Sequence, residues 1–316
     1  MAISFQGLGN EGRLGNQMFQ YAFVRGVAYN RGFDWIIPGP DADRLDNYGL
    51  FDCFELYGCR PENQGEPFFA KQEVYRDMAF NEKIFNECED NTNFSGNFQT
   101  EFYFEQISAD IRHDFTFKKE YLEPCQEFID SNGGQDNNIF LHVRRGNPNV
   151  TGRRGEKWSY QMVQEYHPIC KKEYYIEALK EKEFEGKNVV VVSDTIDWCK
   201  KQDWLQGDRF LFSDASYEEF GDGASVPYID LCLMTLCGGG IIANSSLSWW
   251  GAWLQKGGEK LGKDSIQRHW RVVAPEPWFG IKYDMYDLKD LIPPRWLKLY
   301  NDPSYIEQNN EVQTIQ

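Results

Sequence analysis

Two adjacent arginines, Arg144-Arg145, follow a short apolar run at Ile139–Val143, and a second pair, Arg153-Arg154, comes a little later. The chain around them is acidic, with a formal net charge of -16, so a basic cluster there needs a reason. Guanidinium forks bind phosphate oxygens bidentately and stabilise charge on a departing nucleotide, which makes a diphosphate clamp the functional reading. The plainer reading is that an arginine pairs with internal carboxylates. Neighbours on an extended segment point to opposite sides, so one arginine is expected to face ligand and the other to buttress the loop.

Two further stretches have suitable residue types. Gly12–Gln20 (GRLGNQMFQ) is a glycine-containing loop running into a helical pattern, a place where backbone N–H groups can approach a ligand. Its spacing matches neither a dinucleotide fingerprint nor a P-loop, so on spacing alone it is an ordinary helix start. Asn244–Leu254 (NSSLSWWGAWL) reads as a strand end opening a helix. It offers hydroxyls and N–H groups to an anion at a helix N-terminus. In the plainer reading Ser246 is an N-cap, and Trp249, Trp250 and Trp253 are core.

Other constellations carry less. Asp41-Ala42-Asp43 has the form of a metal-binding D-x-D, but lies in a turn-rich region of a chain with 49 Asp and Glu, so a solvated loop is expected. His113, His142, His167 and His269 show no metal-ligand spacing, and the eight cysteines form no C-x-x-C pair. The cysteines are expected to be reduced and mostly buried. No basic n-region with an apolar stretch opens the sequence, and no run of about 18 apolar residues occurs. The expectation is a soluble, cytoplasmic protein with no membrane span. Its charge disfavours nucleic acid as a partner.

The elements that would position these groups alternate. Asn188–Ser193 (NVVVVS) is a β-branched run, as in a strand buried on both faces. Helical patterns are predicted over Lys172–Glu183, with Tyr175, Ile176 and Leu179 on one side, over Thr195–Gln202, capped by Asp194 or Thr195, over Tyr228–Cys237 and over Ser246–Gln255. Strands are predicted at Ile139–Val143, Arg209–Phe212, Gly240–Ala243 and Val272–Ala274. Such alternation predicts a parallel sheet with helices on both faces, whose ligands bind beyond the carboxyl ends of the strands. In the first half a helix from Gly15 to about Arg31 and a strand at Phe33–Ile37 are predicted, while 38–80 resists assignment. Asn132–Asn138 (NGGQDNN) reads as a linker. The expected domains are 1–135 and 136–300, with a polar tail at 301–316.

These stretches resemble the signature blocks of α-1,2-fucosyltransferases, glycosyltransferase family 11. The blocks are GRLGNQMFQYAF at 12–23, GNFQTEFYF at 96–104, HVRRGN at 142–147, VVSDTIDWC at 191–199, NSSLSWWGAWL at 244–254 and DLIPPRW at 290–296. The resemblance spans about residues 7 to 297. It implies an α/β, GT-B-like fold of two facing Rossmann-type domains, with the donor site in the C-terminal one. It also implies GDP-β-L-fucose as donor, a galactoside-terminated glycan as acceptor, inversion at the anomeric carbon, and neither metal nor other cofactor.

By the same resemblance Arg144 contacts the donor β-phosphate and His142 the guanine side of the pocket. Asp230 stands where an acid reads guanine, and Asn244, Ser245 and Ser246 belong to the phosphate-binding block. Gly15, Asn16 and Gln17 match the loop facing sugar and acceptor, with Asn16 among the catalytic candidates. The family's H-x-R-R-x-D ends here in Asn147, which preserves hydrogen bonding but cannot act as a base. Glu156, on the same loop, is the substitute base, with a surface glutamate as the plainer reading. Two alternatives stay open: a related enzyme using another sugar nucleotide, and a catalytically weak glycan- or nucleotide-binding protein.

Overall fold

The computed structural model describes residues 1–10, 12–44, 48–65, 71–75, 78–145, 164–213, 227–255 and 271–301. The chain divides into two compact units. One holds Met1–Pro124 with Tyr286–Pro294, and the other holds Cys125–Met285 with the stretch from Arg295.

The first unit is built on a parallel sheet of β1 (Ala2–Ser4), β2 (Asp34–Ile36), β3 (Lys71–Tyr75) and β4 (Thr92–Gly96), in the order β2-β1-β4-β3. Helix α1 (Leu14–Arg31) covers it, ending at Gly32 in the left-handed conformation. Short helices α2 (Gly49–Cys53), α3 (Glu82–Glu87) and α4 (Ser108–Asp114) complete the unit. Its core is aromatic: Phe23 stacks on Phe98 at 3.6 Å and meets Phe94 and Tyr103 edge-on. Within the core the buried Asp114 pairs with Arg25, accepts from Tyr21 Oη at 2.9 Å and from the Gly58 amide at 2.6 Å.

The second unit begins inside α5 (Lys119–Ser131), past Pro124. Its sheet contains β5 (Asn138–Val143), β6 (Asn188–Ser193), β7 (Phe210–Phe212), β8 (Gly240–Ile241), β9 (Val272–Glu276) and β10 (Leu297–Tyr300). The order is β10-β9-β8-β5-β6-β7 and every pair is parallel. The chain lays β6 and β7 on one side of β5, then returns to place β8 on the other. This is the strand order of a Rossmann sheet, with its topological switch between β5 and β8.

Alternation sorts the side chains between faces. Ile139, Leu141, Val143, Val189, Val191, Ile241 and Val273 share one buried cluster with Tyr174, Tyr175 and Phe184. Phe140 and Val190 face the other way. Gly240 pairs with Phe140 in register, and a Cβ there would stand 2.2 Å from the Phe140 ring. The helices are α6 (Lys172–Ala178), α7 (Ile196–Cys199), α8 (Tyr228–Leu236) and α9 (Ser246–Trp253).

Several expectations need correction. Asn132–Asn138 is not a linker between domains. The Asn138 and Asn188 side chains both donate to the Asn132 carbonyl at 3.0 Å, which ties this turn to the starts of β5 and β6. The boundary falls at Pro124 rather than 135, and 286–294 belongs with the first unit. Helix α6 buries Tyr174, Tyr175 and Ala178, while Ile176 is exposed. The tyrosines set that rotation: Tyr174 donates to the Ile242 carbonyl at 2.7 Å and Tyr175 to the His142 carbonyl at 3.0 Å. Helix α7 has Thr195 at its N-cap without a side-chain bond. Part of the unassigned stretch holds β3, an edge strand of sequence KQEVY.

Candidate active site

Ligands of open parallel sheets bind outside the carboxyl ends of the strands, at the switch point. In the second unit that point is flanked by the residues after β5 and after β8. Arg144 follows β5, and its Nη1 donates to the Asn244 carbonyl at 3.0 Å, across the switch. The Asn244 side chain donates in turn to the Trp278 carbonyl at 3.1 Å. Asn244 is therefore a brace for the arginine, with its own amide turned into the protein.

Helix α9 starts at this place. Ser245, in extended conformation, is the N-cap, and Ser246 is the first helical residue rather than the cap. The Ser245 carbonyl accepts from the Trp249 amide at 3.0 Å, while its hydroxyl does not cap the helix. Ser245 and Ser246 thus follow directly on the carbonyl that holds the Arg144 guanidinium, and hydroxyls, first-turn amides and a guanidinium are groups suited to an anion. Trp249 and Trp250 are fully buried behind them and hold the helix in place.

Arg145 is held at a different strand end. Its amide donates to Asp194 Oδ1 at 3.0 Å, and its guanidinium lies 4.0 Å over the Trp198 ring. The two arginines have separate tasks, one at the switch point and one fastening the loop to the end of β6.

His142, next to last in β5, is buried, and its Nδ1 has no hydrogen-bond partner among the described residues. Burial, reinforced by Arg144 and opposed by Asp194, pushes its pKa down to about 4, so it is neutral at physiological pH. Asp230, in the first turn of α8, is buried and accepts from Ser213 Oγ at 2.8 Å, which ties it to the end of β7. Asn147, Glu156 and the pair Arg153-Arg154 lie outside the described residues.

The remaining candidates belong to the first unit. Its switch point lies between β1 and β4. Asn16, in the first turn of α1, accepts at Oδ1 from Gln99 Nε2 at 2.9 Å. Gln17 is buried and donates to the Gly12 carbonyl at 3.0 Å, which makes it a loop brace, and Gly15 is buried in the helix. Asn93, in a glycosylation-type sequon, is buried and bonded to Ser4, Gln6 and Gln72.

Sequence reasoning passed over two residues. His167 was weighed only as a metal ligand. Its ring meets Phe279 and Tyr283, and burial, with Arg144 second, lowers its pKa to about 3. Gln99 stands inside the GNFQTEFYF block, where a single glutamine carries no signal of its own. Among the described residues, no group of three or more His, Cys, Asp or Glu could hold a metal ion. No described helix is long and apolar enough to cross a membrane.

The sequence model described as Glycosyl transferase family 11 matches residues 70–262, more than half of the chain. This protein belongs to glycosyltransferase family 11. An alpha-1,2-colitosyltransferase of Escherichia coli is 27% identical over 91% of this chain and 96% of that protein. The O-antigen biosynthesis glycosyltransferase WbnK, also of Escherichia coli, is 30% identical over 46% of this chain and 44% of that one. Among solved structures, fucosyltransferase NodZ from Bradyrhizobium aligns at a TM-score of 0.49 and 13% identity, covering 80% of this chain and 93% of that one. POFUT1 in complex with GDP aligns at 0.46 and 12%, covering 80% and 94%. The two parallel sheets themselves establish the α/β class.

Proposed function

We propose that this family-11 enzyme transfers L-fucose from GDP-β-L-fucose to a galactoside hydroxyl in α-1,2 linkage, with inversion and without a metal. The observation that carries the reading is Arg144, held to Asn244 across the β5/β8 switch beside the N-terminus of α9. As the bond from the anomeric carbon to the phosphate oxygen breaks, negative charge grows on the diphosphate. Arg144 and the first-turn amides of α9 are already oriented to receive it, so no reorganisation is needed at that moment. Guanine presents N1–H and N2–H₂ donors, and the buried Asp230 carboxylate is the acceptor assigned to them. His142, neutral and buried, lines the nucleotide side without adding charge. The acceptor hydroxyl attacks from the face opposite the leaving group and loses its proton late. Asn147 cannot take that proton, and Glu156 is the candidate base.

A second donor is favoured by one finding, the relative named as a colitosyltransferase. Colitose is fucose without its 3-hydroxyl, so the same phosphate and guanine contacts serve either sugar. The experiment is incubation with GDP-fucose or GDP-colitose and a panel of galactoside-terminated glycans, with and without EDTA, followed by linkage analysis. Fucose in α-1,2 linkage, formed in EDTA, is the expected product. Transfer from GDP-colitose alone would select the second reading. A strict divalent-metal requirement would overturn the metal-free mechanism, and nucleotide binding without any transfer would make this a binding protein.

A further inference from the structure

We propose that Gln99 is a positioning residue: it fixes the polarity of the Asn16 carboxamide so that Asn16 offers a sugar substrate an N–H donor. The inference rests on the glycosyltransfer reading above. Three observations support it. Gln99 is buried, and its Nε2 donates to Asn16 Oδ1 at 2.9 Å, so the acceptor end of Asn16 is already taken. Asn16 is only half-buried, and its Nδ2 makes no hydrogen bond to a described residue. The donor end is therefore the one left for a ligand.

The second observation is the backbone that aims Gln99. Phe98 has φ of 50°, in the left-handed region that a bulky side chain rarely adopts. Its ring is pinned by Phe23 at 3.6 Å and by Tyr75 at 5.5 Å, both stacked. This turn carries the chain from the end of β4 toward the start of α1. Strain of that kind persists where surrounding packing over-determines it, often at functional sites.

The third is the opposite wall. Gly12 has φ of 115°, and a Cβ built on it would lie 2.4 Å from Asn16 Nδ2 and 2.6 Å from Asn16 Cβ. Gln17 holds this loop by donating to the Gly12 carbonyl at 3.0 Å. Asn16 is thus confined between a glycine that leaves it room and a glutamine that sets its direction. A fixed amide donor suits a neutral, oxygen-rich sugar. Asn16 then orients a substrate oxygen and cannot be the group that takes the hydroxyl proton.

The test is Gln99→Glu, which is nearly isosteric but can only accept. It should turn Asn16 around, so that its carbonyl faces the ligand. The kcat/KM for sugar transfer should fall about 10- to 100-fold, the scale of losing one well-placed hydrogen bond and gaining an opposed acceptor. The Kd for GDP and the unfolding temperature should stay as in the wild type. Gln99→Met, which releases Asn16 without reversing it, should lose less. Activity of Gln99→Glu within about twofold of wild type would overturn the proposal, as would a loss that follows the unfolding temperature or the affinity for GDP. A readout without turnover separates this idea from the functional one. The Asn16 side-chain amide protons should exchange freely with water in the wild type. In Gln99→Glu they should shift downfield and become protected, and unchanged resonances would refute the positioning role whatever the enzyme transfers.

Discussion

Each sheet has a side-chain hydrogen bond across its switch point, and the two bonds differ in kind. In the first unit Gln99, after β4, donates to Asn16, after β1. In the second Arg144, after β5, donates to the Asn244 carbonyl, after β8. The place in the sheet is alike, between the unit's first and fourth strands, but the chemistry is amide in one and guanidinium in the other. Beside Asn16 stand the neutral Gln99 amide and the backbone of Gly12, with Arg13 exposed at the start of α1. Around Arg144 stand serine hydroxyls and a helix N-terminus. A parallel sheet provides the place, and charge at the strand ends decides what the place can hold, which in the reading proposed above is a neutral polyol in one unit and a diphosphate in the other.

The comparison is broken most severely by removing its charged member. Arg144→Ala should reduce kcat by about 100- to 1,000-fold, as expected for loss of one stabiliser of leaving-group charge. The unfolding temperature should change by only a few degrees, the scale of a hydrogen bond or two at a strand end. Lysine should rescue poorly because it lacks the planar fork. Steady-state kinetics on the three proteins decide the matter, and near-normal kcat in the alanine variant would remove the diphosphate role.

Asp230→Asn sharpens the same side of the comparison. The Ser213 bond can survive in the variant, so the fold should lose about 1 kcal/mol or less. Affinity for GDP should fall about tenfold, as for losing a hydrogen bond to a charged group, while affinity for UDP should hardly move. Calorimetric titration with both nucleotides separates guanine reading from a packing role, for which the two losses would be equal.

A smaller effect concerns the histidines near Arg144. His142 and His167 are neutral in the fold, with pKa values lowered to about 4 and about 3, mainly by burial. As pH drops below about 6.5, the unfolded chain binds protons that the folded chain refuses. The stability they contribute is complete above that pH, declines below it, and is gone once the folded values are passed. Unfolding temperature should therefore fall between pH 6.5 and 4, and His167→Gln should flatten that slope. An identical slope in the variant would count against a buried neutral His167.

How much of this was legible in the sequence follows from where the information lies. Asn188–Ser193 reads directly as a strand, because burial on both faces leaves an unbroken β-branched run. The short β3 does not, since KQEVY is mostly polar and gains its identity by pairing with β4. Arg144 stands out because charge at an apolar strand end breaks a local pattern, whereas Asp230 is reached only through the family resemblance. The Gln99–Asn16 pair leaves no such mark. Its partners are 83 residues apart, and two amides in sequence carry no sign of which end faces which.

The last test has the smallest expected effect and concerns Asn147, which lies outside the described residues. It occupies the place of an acid in the family block and follows Arg144 by three positions, with Gly146 between. If that acid were the obligatory base, this enzyme would be nearly inactive and Asn147→Asp would raise kcat about 100-fold or more. If the position only shapes the arginine loop, asparagine already suffices, because Asx side chains bond nearby backbone amides in either form. The structural role is the better supported. Arg145 is anchored at Asp194 and Trp198, so the loop leaves β5 from a fixed point. Arg144 is held at Asn244, and Asp230 at Ser213, so the proposed donor contacts are braced by residues other than position 147. The expected change in kcat for Asn147→Asp is therefore small, about threefold at most, the scale of one exposed hydrogen bond. Single-turnover rates in saturating donor give the answer, and a rise approaching 100-fold would transfer the role of base to this position.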